Sequence, residues 1–304
     1  MINVVSFCRP ASLEEALDLM ASRHLTPVAG GTDIVPQSRD GEPRELIDTT
    51  GLGLDDIKVD GNSGNVIDIG ASVTHSTLCG SPVIRELLPL LAKAAGSIGC
   101  EQIRNRGTIG GNVVNASPSA DTVPALLNHD AEVVLVSRAE KRIVKLEKFI
   151  TRPYETDRKP GELLTSIMCK ATGALPGMSA CSGGSAYHGA SCCFFKLGRR
   201  AAMNISRMSL ALIVACGAGG KVTLARVAAG AVFPVARRML EVERLLEGQV
   251  MSKKLFEEAG TLATELLVME TGIRWSTPYK MPVLKGLLER VLRQLARDNG
   301  VIVE

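Results

Sequence analysis

Two pairs of adjacent glycines, Gly30-Gly31 and Gly110-Gly111, constrain this chain more than any other feature. The first lies in Val28-Ala29-Gly30-Gly31-Thr32-Asp33, directly after a short apolar stretch that is expected to form a strand over Thr26–Ala29. Adjacent glycines open the positive-φ region and let another group come within hydrogen-bonding distance of main-chain N–H groups. Several such donors, with the Thr32 hydroxyl, form a concavity suited to a pyrophosphate. The spacing is not the GxGxxG of a doubly wound dinucleotide fold. Taken alone, this loop is a weak signal and reads more readily as an ordinary tight turn in which Asp33 caps the next segment.

The second pair sits in a longer run, Gln102 to Asp121, that is more specific. It brings together the hydroxyls of Thr108, Ser117 and Ser119, the amides of Asn112 and Asn115, and the carboxylate of Asp121. So many hydrogen-bonding groups beside two glycines point to a phosphate or nucleotide, with a polar surface loop as the bland reading.

Periodicity places these loops in an α+β chain. Ser12 and Glu15 form a capping box at the head of a helix whose apolar face is Leu13, Ala16, Leu17 and Met20. Val66–Val73 reads as a strand, Ser81-Pro82 opens a helix to about Ala95, and Ala131–Ser137 reads as another strand. A short helix is expected over Val123–His129, with Asp121 placed to cap it. Strands and helices do not alternate as βαβ units, which argues against a doubly wound sheet. Residues 171–191 are rich in Gly, Ser and Ala and read as a linker or exposed loop. Beyond it come the basic run Lys196-Leu197-Gly198-Arg199-Arg200 and strands at Met208–Ala215 and Val227–Phe233. Two helices follow, Lys254–Leu267 and Tyr279–Arg297, the second with an apolar stripe at Val283, Leu287, Val291 and Leu295.

Bulk properties narrow the function classes. At 304 residues the chain suits two domains of roughly 100–200 residues each. A net charge of +3 and 3% aromatic residues argue against nucleic acid as a partner. No apolar run approaches the roughly 18–20 residues of a membrane span, and Met1–Ala11 lacks the pattern of a signal peptide, so a cytoplasmic protein is expected. The eight cysteines are irregularly spaced and are read as reduced. His24, His75, His129 and His188 are dispersed without metal-ligand spacing, so no metal and no acid–base catalyst is expected in this chain.

The motif AGGTD at Ala29–Asp33, followed by IRNRGTIGGNVVNASPSAD at Ile103–Asp121, resembles the FAD-binding subunit of the molybdenum hydroxylases, the family of xanthine dehydrogenase and carbon monoxide dehydrogenase. The likeness continues through GELLTSI at Gly161–Ile167 and FKLGRRAAMNIS at Phe195–Ser206, and so covers nearly the whole chain. The resemblance implies a two-part FAD-binding domain of the PCMH (vanillyl-alcohol oxidase-like) type over residues 1–175, with pieces of roughly 1–58 and 59–175. A linker at 176–192 and a smaller α+β domain at 193–304 would follow.

By the same resemblance, Val28, Ala29, Gly30, Gly31, Thr32 and Asp33 form the first pyrophosphate loop, and Thr108, Ile109, Gly110, Gly111 and Asn112 the second. Ser117 and Asp121 continue it toward the ribose or ribityl hydroxyls. Ile98 and Ile103 fall near the ring system, Leu164 where an aliphatic side chain packs on the flavin, and Lys196 where a cation stands near the cofactor. Molybdopterin and [2Fe–2S] clusters belong to partner subunits, and electrons leave to an acceptor such as NAD. Two departures stand out. The segment between Ile167 and Phe195 is long and carries Cys169, Cys181, Cys192 and Cys193, and Asn204 replaces an acid common at its position. An added iron–sulfur cluster does not fit these cysteines, because adjacent Cys192 and Cys193 in a strand point to opposite faces. Two other readings remain: a free-standing flavin oxidoreductase of the same fold, and a scaffold subunit that has lost flavin.

Overall fold

A computed structural model describes residues 3–37, 43–60, 66–172, 190–200 and 203–303. The first piece is a small parallel sheet: β1 (Asn3–Cys8), α1 (Leu13–Ser22), β2 (Thr26–Val28), α2 (Ile34–Gln37) and β3 (Pro43–Asp48), with strand order β1-β3-β2. Helix α1 begins where its capping box requires. The Glu15 N–H donates to Ser12 Oγ at 3.2 Å, and the Ala11 N–H donates to the Glu15 carboxylate at 2.7 Å. Ala16, Leu17 and Met20 then pack with Ile47 and Leu52 into a small core.

The second piece is built on an antiparallel sheet of order β4-β5-β10-β6-β7. Strands β4 (Ile57–Val59) and β5 (Val66–Gly70) lead into α3 (His75–Gly80), α4 (Pro82–Leu87), α5 (Pro89–Gly96), α6 (Glu101–Arg104), α7 (Ile109–Asn115) and α8 (Thr122–Asn128). The chain then returns through β6 (Glu132–Val136), β7 (Lys141–Lys145), α9 (Leu146–Phe149), β8 (Ile150–Arg152), β9 (Glu155–Thr156) and β10 (Leu163–Lys170). The single helix expected from Ser81 to Ala95 is two helices. Leu88 stands between them at φ −131° and ψ 53°, because the ring of Pro89 excludes the helical conformation from the residue before it.

The third piece pairs β11 (Ser191–Leu197), β12 (Met208–Cys216), β13 (Val222–Gly230) and β14 (Arg237–Arg238) in that order. It is followed by α10 (Leu240–Leu246), α11 (Lys253–Thr271) and α12 (Thr277–Asp298). Strand β13 lies earlier than the expected Val227–Phe233; Ala231, at φ 56°, turns the chain out of it. Strand β12 is apolar without a break from Leu210 to Cys216 because both of its faces are covered. Ala211 and Ile213 join the core around α5 and α8, while Leu210, Leu212 and Val214 join the core under α11 and α12. The hydrophobic core of the second piece therefore extends into the third. Cys192 packs toward the first of these cores and Cys193 toward the second, as opposite faces of β11 require. Cys181 lies outside the described residues. Among the described residues, no group of His, Cys, Asp and Glu is placed to hold a metal ion, and no helix is long and apolar enough to cross a membrane.

Candidate functional site

The two glycine loops come from different pieces of the fold, and they touch. A Cβ on Gly30 would fall 1.8 Å from the Arg106 carbonyl oxygen, so only glycine permits the turn after β2 to lie on the second loop. Gly31 follows at φ 71°, where an L side chain is strained. One residue further along each loop, a Cβ on Gly107 would meet the Thr32 hydroxyl at 3.3 Å on one side and the His75 ring at 3.1 Å on the other. The second loop is anchored from below as well. The His75 N–H donates to the Gly107 carbonyl at 3.0 Å, and Thr74 bridges to Thr108 in antiparallel fashion.

A cleft of about 420 Å³ opens where these segments meet, lined by Gly30, Thr50, Asp55, Ser72, Val73, Thr74, Thr77, Asn105, Arg106 and Thr108. Thr108 caps α7, accepting from the Gly111 N–H at 3.1 Å. A Cβ at Gly111 would press on that hydroxyl at 3.0 Å and meet nothing else within 4 Å. The result is a concavity where the glycine loops meet, lined by small hydroxyls with Asp55, Asn105 and Arg106 beside them, and with room for part of an extended dinucleotide. The N–H groups of Gly110 and Gly111 are bonded within the chain, to the Ala71 carbonyl and the Thr108 hydroxyl. The residues present fit the group that the sequence implies. Of the lining residues, Thr50, Asp55, Ser72, Thr74 and Thr77 carry no glycine signature, and only the fold brings them to the loops.

A second cluster joins the two halves of the molecule. Lys196, on β11, donates from Nζ to Asp121 Oδ2 at 2.6 Å and to the Ser97 carbonyl at 3.0 Å. Ser206 donates to the other carboxylate oxygen, Oδ1, at 2.5 Å. The side chains of Lys196 and Asp121 are only 10% and 5% exposed. Burial pushes the Asp121 carboxyl up from its ordinary value, and the Lys196 ammonium and Ser206 hydroxyl pull against that rise. The expectation that Asp121 caps the helix after it is corrected here. Asp121 occupies the cap position of α8 but makes no side-chain cap bond, because both carboxylate oxygens are engaged across the seam.

The remaining nominated residues are dispersed around these two clusters. Asn112 accepts at Oδ1 from the Thr122 hydroxyl at 2.6 Å, and Ser117 accepts from the Ser119 N–H at 3.3 Å, so both brace the loop. Ile98, half-buried, accepts at its carbonyl from Arg104 Nη1 at 3.0 Å. Ile103, on α6, is 38% exposed. Leu164 sits in β10 opposite Leu135, buried within the main core, and does not line the cleft. The Asp33 carboxyl, on the first loop, is raised by desolvation. His75 is buried under the second loop with no partner for Nδ1 among the described residues, and burial, followed by the Arg104 charge, holds its pKa down at about 4.

Residues 3–169 match the family described as the FAD binding domain in molybdopterin dehydrogenase. The chain belongs to that family. Residues 193–295 match the CO dehydrogenase flavoprotein C-terminal domain, so both halves of the molecule are accounted for. The chain is 28% identical over 295 residues to the glyceraldehyde dehydrogenase medium chain of Sulfolobus acidocaldarius, covering 96% of this chain and 98% of that one. It is 30% identical over 294 residues to the nicotinate dehydrogenase FAD-subunit of Eubacterium barkeri, covering 94% of each. Its fold superposes with a TM-score of 0.85, at 25% identity, on a chain of the carbon monoxide dehydrogenase from Hydrogenophaga pseudoflava that lacks the Mo-pyranopterin moiety, covering 98% of this chain and 99% of that one. This α+β chain is an FAD-binding oxidoreductase subunit of the molybdenum hydroxylase family, and FAD is its cofactor.

Proposed function

We propose that the chain is the electron relay of a molybdenum hydroxylase complex, taking electrons from [2Fe–2S] clusters on one partner subunit and handing them to an acceptor such as NAD. The substrate would be oxidised at a molybdopterin site on another subunit. The observation that carries this reading is the glycine cleft, where two loops from different pieces of the fold meet beside the hydroxyls of Thr50, Ser72, Thr74, Thr77 and Thr108, groups suited to bind and orient a cofactor. When bound, the flavin supplies the ability to accept electrons singly and return them as a pair.

The protein's share is placement. Residues Val28 to Asp33 and Thr108 to Asn112 hold the diphosphate, Ser117 continues the second loop toward the hydroxyl-bearing chain, and the Lys196–Asp121 pair, closed at 2.6 Å, braces that loop against the C-terminal domain beside the cofactor. Ile98 and Ile103 supply the apolar rim. In this reading the FAD-binding domain spans residues 1–175 and the C-terminal domain 193–304, and the complex works in the cytoplasm. Several large apolar side chains are exposed near the α11–α12 corner: Met269 is 81%, Ile273 84% and Trp275 90% exposed, which suits a chain that works inside an assembly.

Rapid mixing of the flavin-loaded chain with NADH tests the acceptor. Bleaching of the flavin band within seconds supports exchange with nicotinamide. Reduction by a one-electron donor alone would keep the relay and remove NAD from it. The isolated chain is expected to hydroxylate no purine or aldehyde, because it holds no ligand set for a metal-bound oxygen among its described residues. Hydroxylated product from this chain alone would overturn the division of labour.

A further inference from the structure

The glycines of the two loops bring no charge of their own, and a diphosphate brings negative charge into the cleft. We propose that Arg106 supplies the neutralising charge and so makes the site prefer a flavin carrying a diphosphate over one without. The proposal rests on the reading that the cleft holds FAD.

Three observations point to Arg106. It stands where the two loops meet, since its own carbonyl is the atom on which Gly30 lies. Among the residues lining the cleft it is the one cation, facing a single anion, Asp55. Its side chain is exposed, and among the described residues no carboxylate is paired with it. The other cations nearby are committed elsewhere: Arg104 donates to the Ile98 carbonyl at 3.0 Å, and Lys196 is closed onto Asp121 at 2.6 Å. A guanidinium also fits the role geometrically. Its planar fork engages two phosphate oxygens at once, where an ammonium acts as a point charge.

The test uses the full-length chain stripped of flavin, as wild type, Arg106→Gln and Arg106→Lys, titrated with FAD and with riboflavin at low and moderate salt. Arg106→Gln is expected to weaken FAD about tenfold and riboflavin by less than about twofold, as the loss of one charge-assisted contact requires. Wild-type FAD affinity should fall as salt rises, Arg106→Gln should lose most of that dependence, and Arg106→Lys should recover part of both. A glutamine variant that binds FAD with wild-type affinity and the same salt dependence overturns the proposal. So does an equal loss of FAD and riboflavin, because that is what a merely structural arginine would give. A wild-type chain that binds neither ligand would fail the flavin reading itself, and this proposal with it.

Discussion

The cleft and the seam differ in what they are made of. At the cleft, the contacts that shape the site are main chain against main chain, Gly30 on the Arg106 carbonyl and the His75 N–H on the Gly107 carbonyl, with small hydroxyls filling in. At the seam, a buried ammonium and carboxylate 75 residues apart in sequence meet at 2.6 Å and join the two halves of the molecule. A site shaped by close backbone contact tolerates no added volume. A side-chain site of buried charge tolerates neither partner being lost, because the survivor is left desolvated and unpaired.

That contrast yields its largest effect at the seam. Lys196→Met should lower unfolding stability by about 3–5 kcal/mol in a denaturant titration, since Asp121 keeps its burial and loses its countercharge. The double variant Lys196→Met, Asp121→Leu should recover most of the loss. If the single and double variants are equally unstable, packing and not charge holds the seam.

Acid reaches both regions. His75 lies under the second loop and His129 lies at the end of α8, each held down at about 4 by burial. Both are therefore neutral in the folded chain, while the unfolded chain takes up a proton on each near pH 6.5. Stability is accordingly full above that pH and is lost as pH falls toward 4, by about 3 kcal/mol for each histidine. Replacing His129 with Phe should flatten the slope by about half in pH-dependent melting. An unchanged slope would mean that other groups carry the acid sensitivity.

The cleft gives a sharper but narrower loss. Gly111→Val places a β-branched side chain against the Thr108 cap hydroxyl in the second pyrophosphate loop, so FAD affinity should fall at least about a hundredfold, while stability changes by about 1 kcal/mol. A matching collapse in stability would show that the glycine is there for packing and not for a ligand. Thr108→Ala is the mildest change. Losing the cap on the Gly111 N–H should cost about 1 kcal/mol, read as a small fall in melting temperature and a modest weakening of FAD.

The same contrast decides what the sequence could reveal. The glycine pairs are contiguous motifs, and the residues that build each loop are neighbours in the chain, so Val28–Asp33 and Thr108–Asn112 are legible as they stand. The capping box at Ser12 and the apolar stripe of α12 are equally local and appear where periodicity puts them. Ser206 is different: nothing near it in sequence announces Asp121, and only the return of β12 after β11 brings them together. His75 is hidden in the same way, a lone histidine whose position under Gly107 exists only in the fold. The residues lining the cleft from Thr50 to Thr77 are ordinary loop threonines, serines and acids until the first two pieces pack. The one helix that periodicity joined, over Ser81–Ala95, shows the converse: a local rule, proline at Pro89, outweighed an otherwise continuous apolar pattern.

The most direct measurement denatures the purified chain by boiling and quantifies flavin in the supernatant, for wild type beside Gly30→Val. A Cβ at Gly30 would collide with the Arg106 carbonyl at 1.8 Å and force the two loops apart. Wild type should release about one FAD per chain with none left on the protein, as main-chain donors and hydroxyls acting without a covalent bond require. Gly30→Val should release none. Flavin retained covalently on the denatured chain, or FAD released equally from the variant, would contradict a noncovalent site formed by the meeting of the two glycine loops.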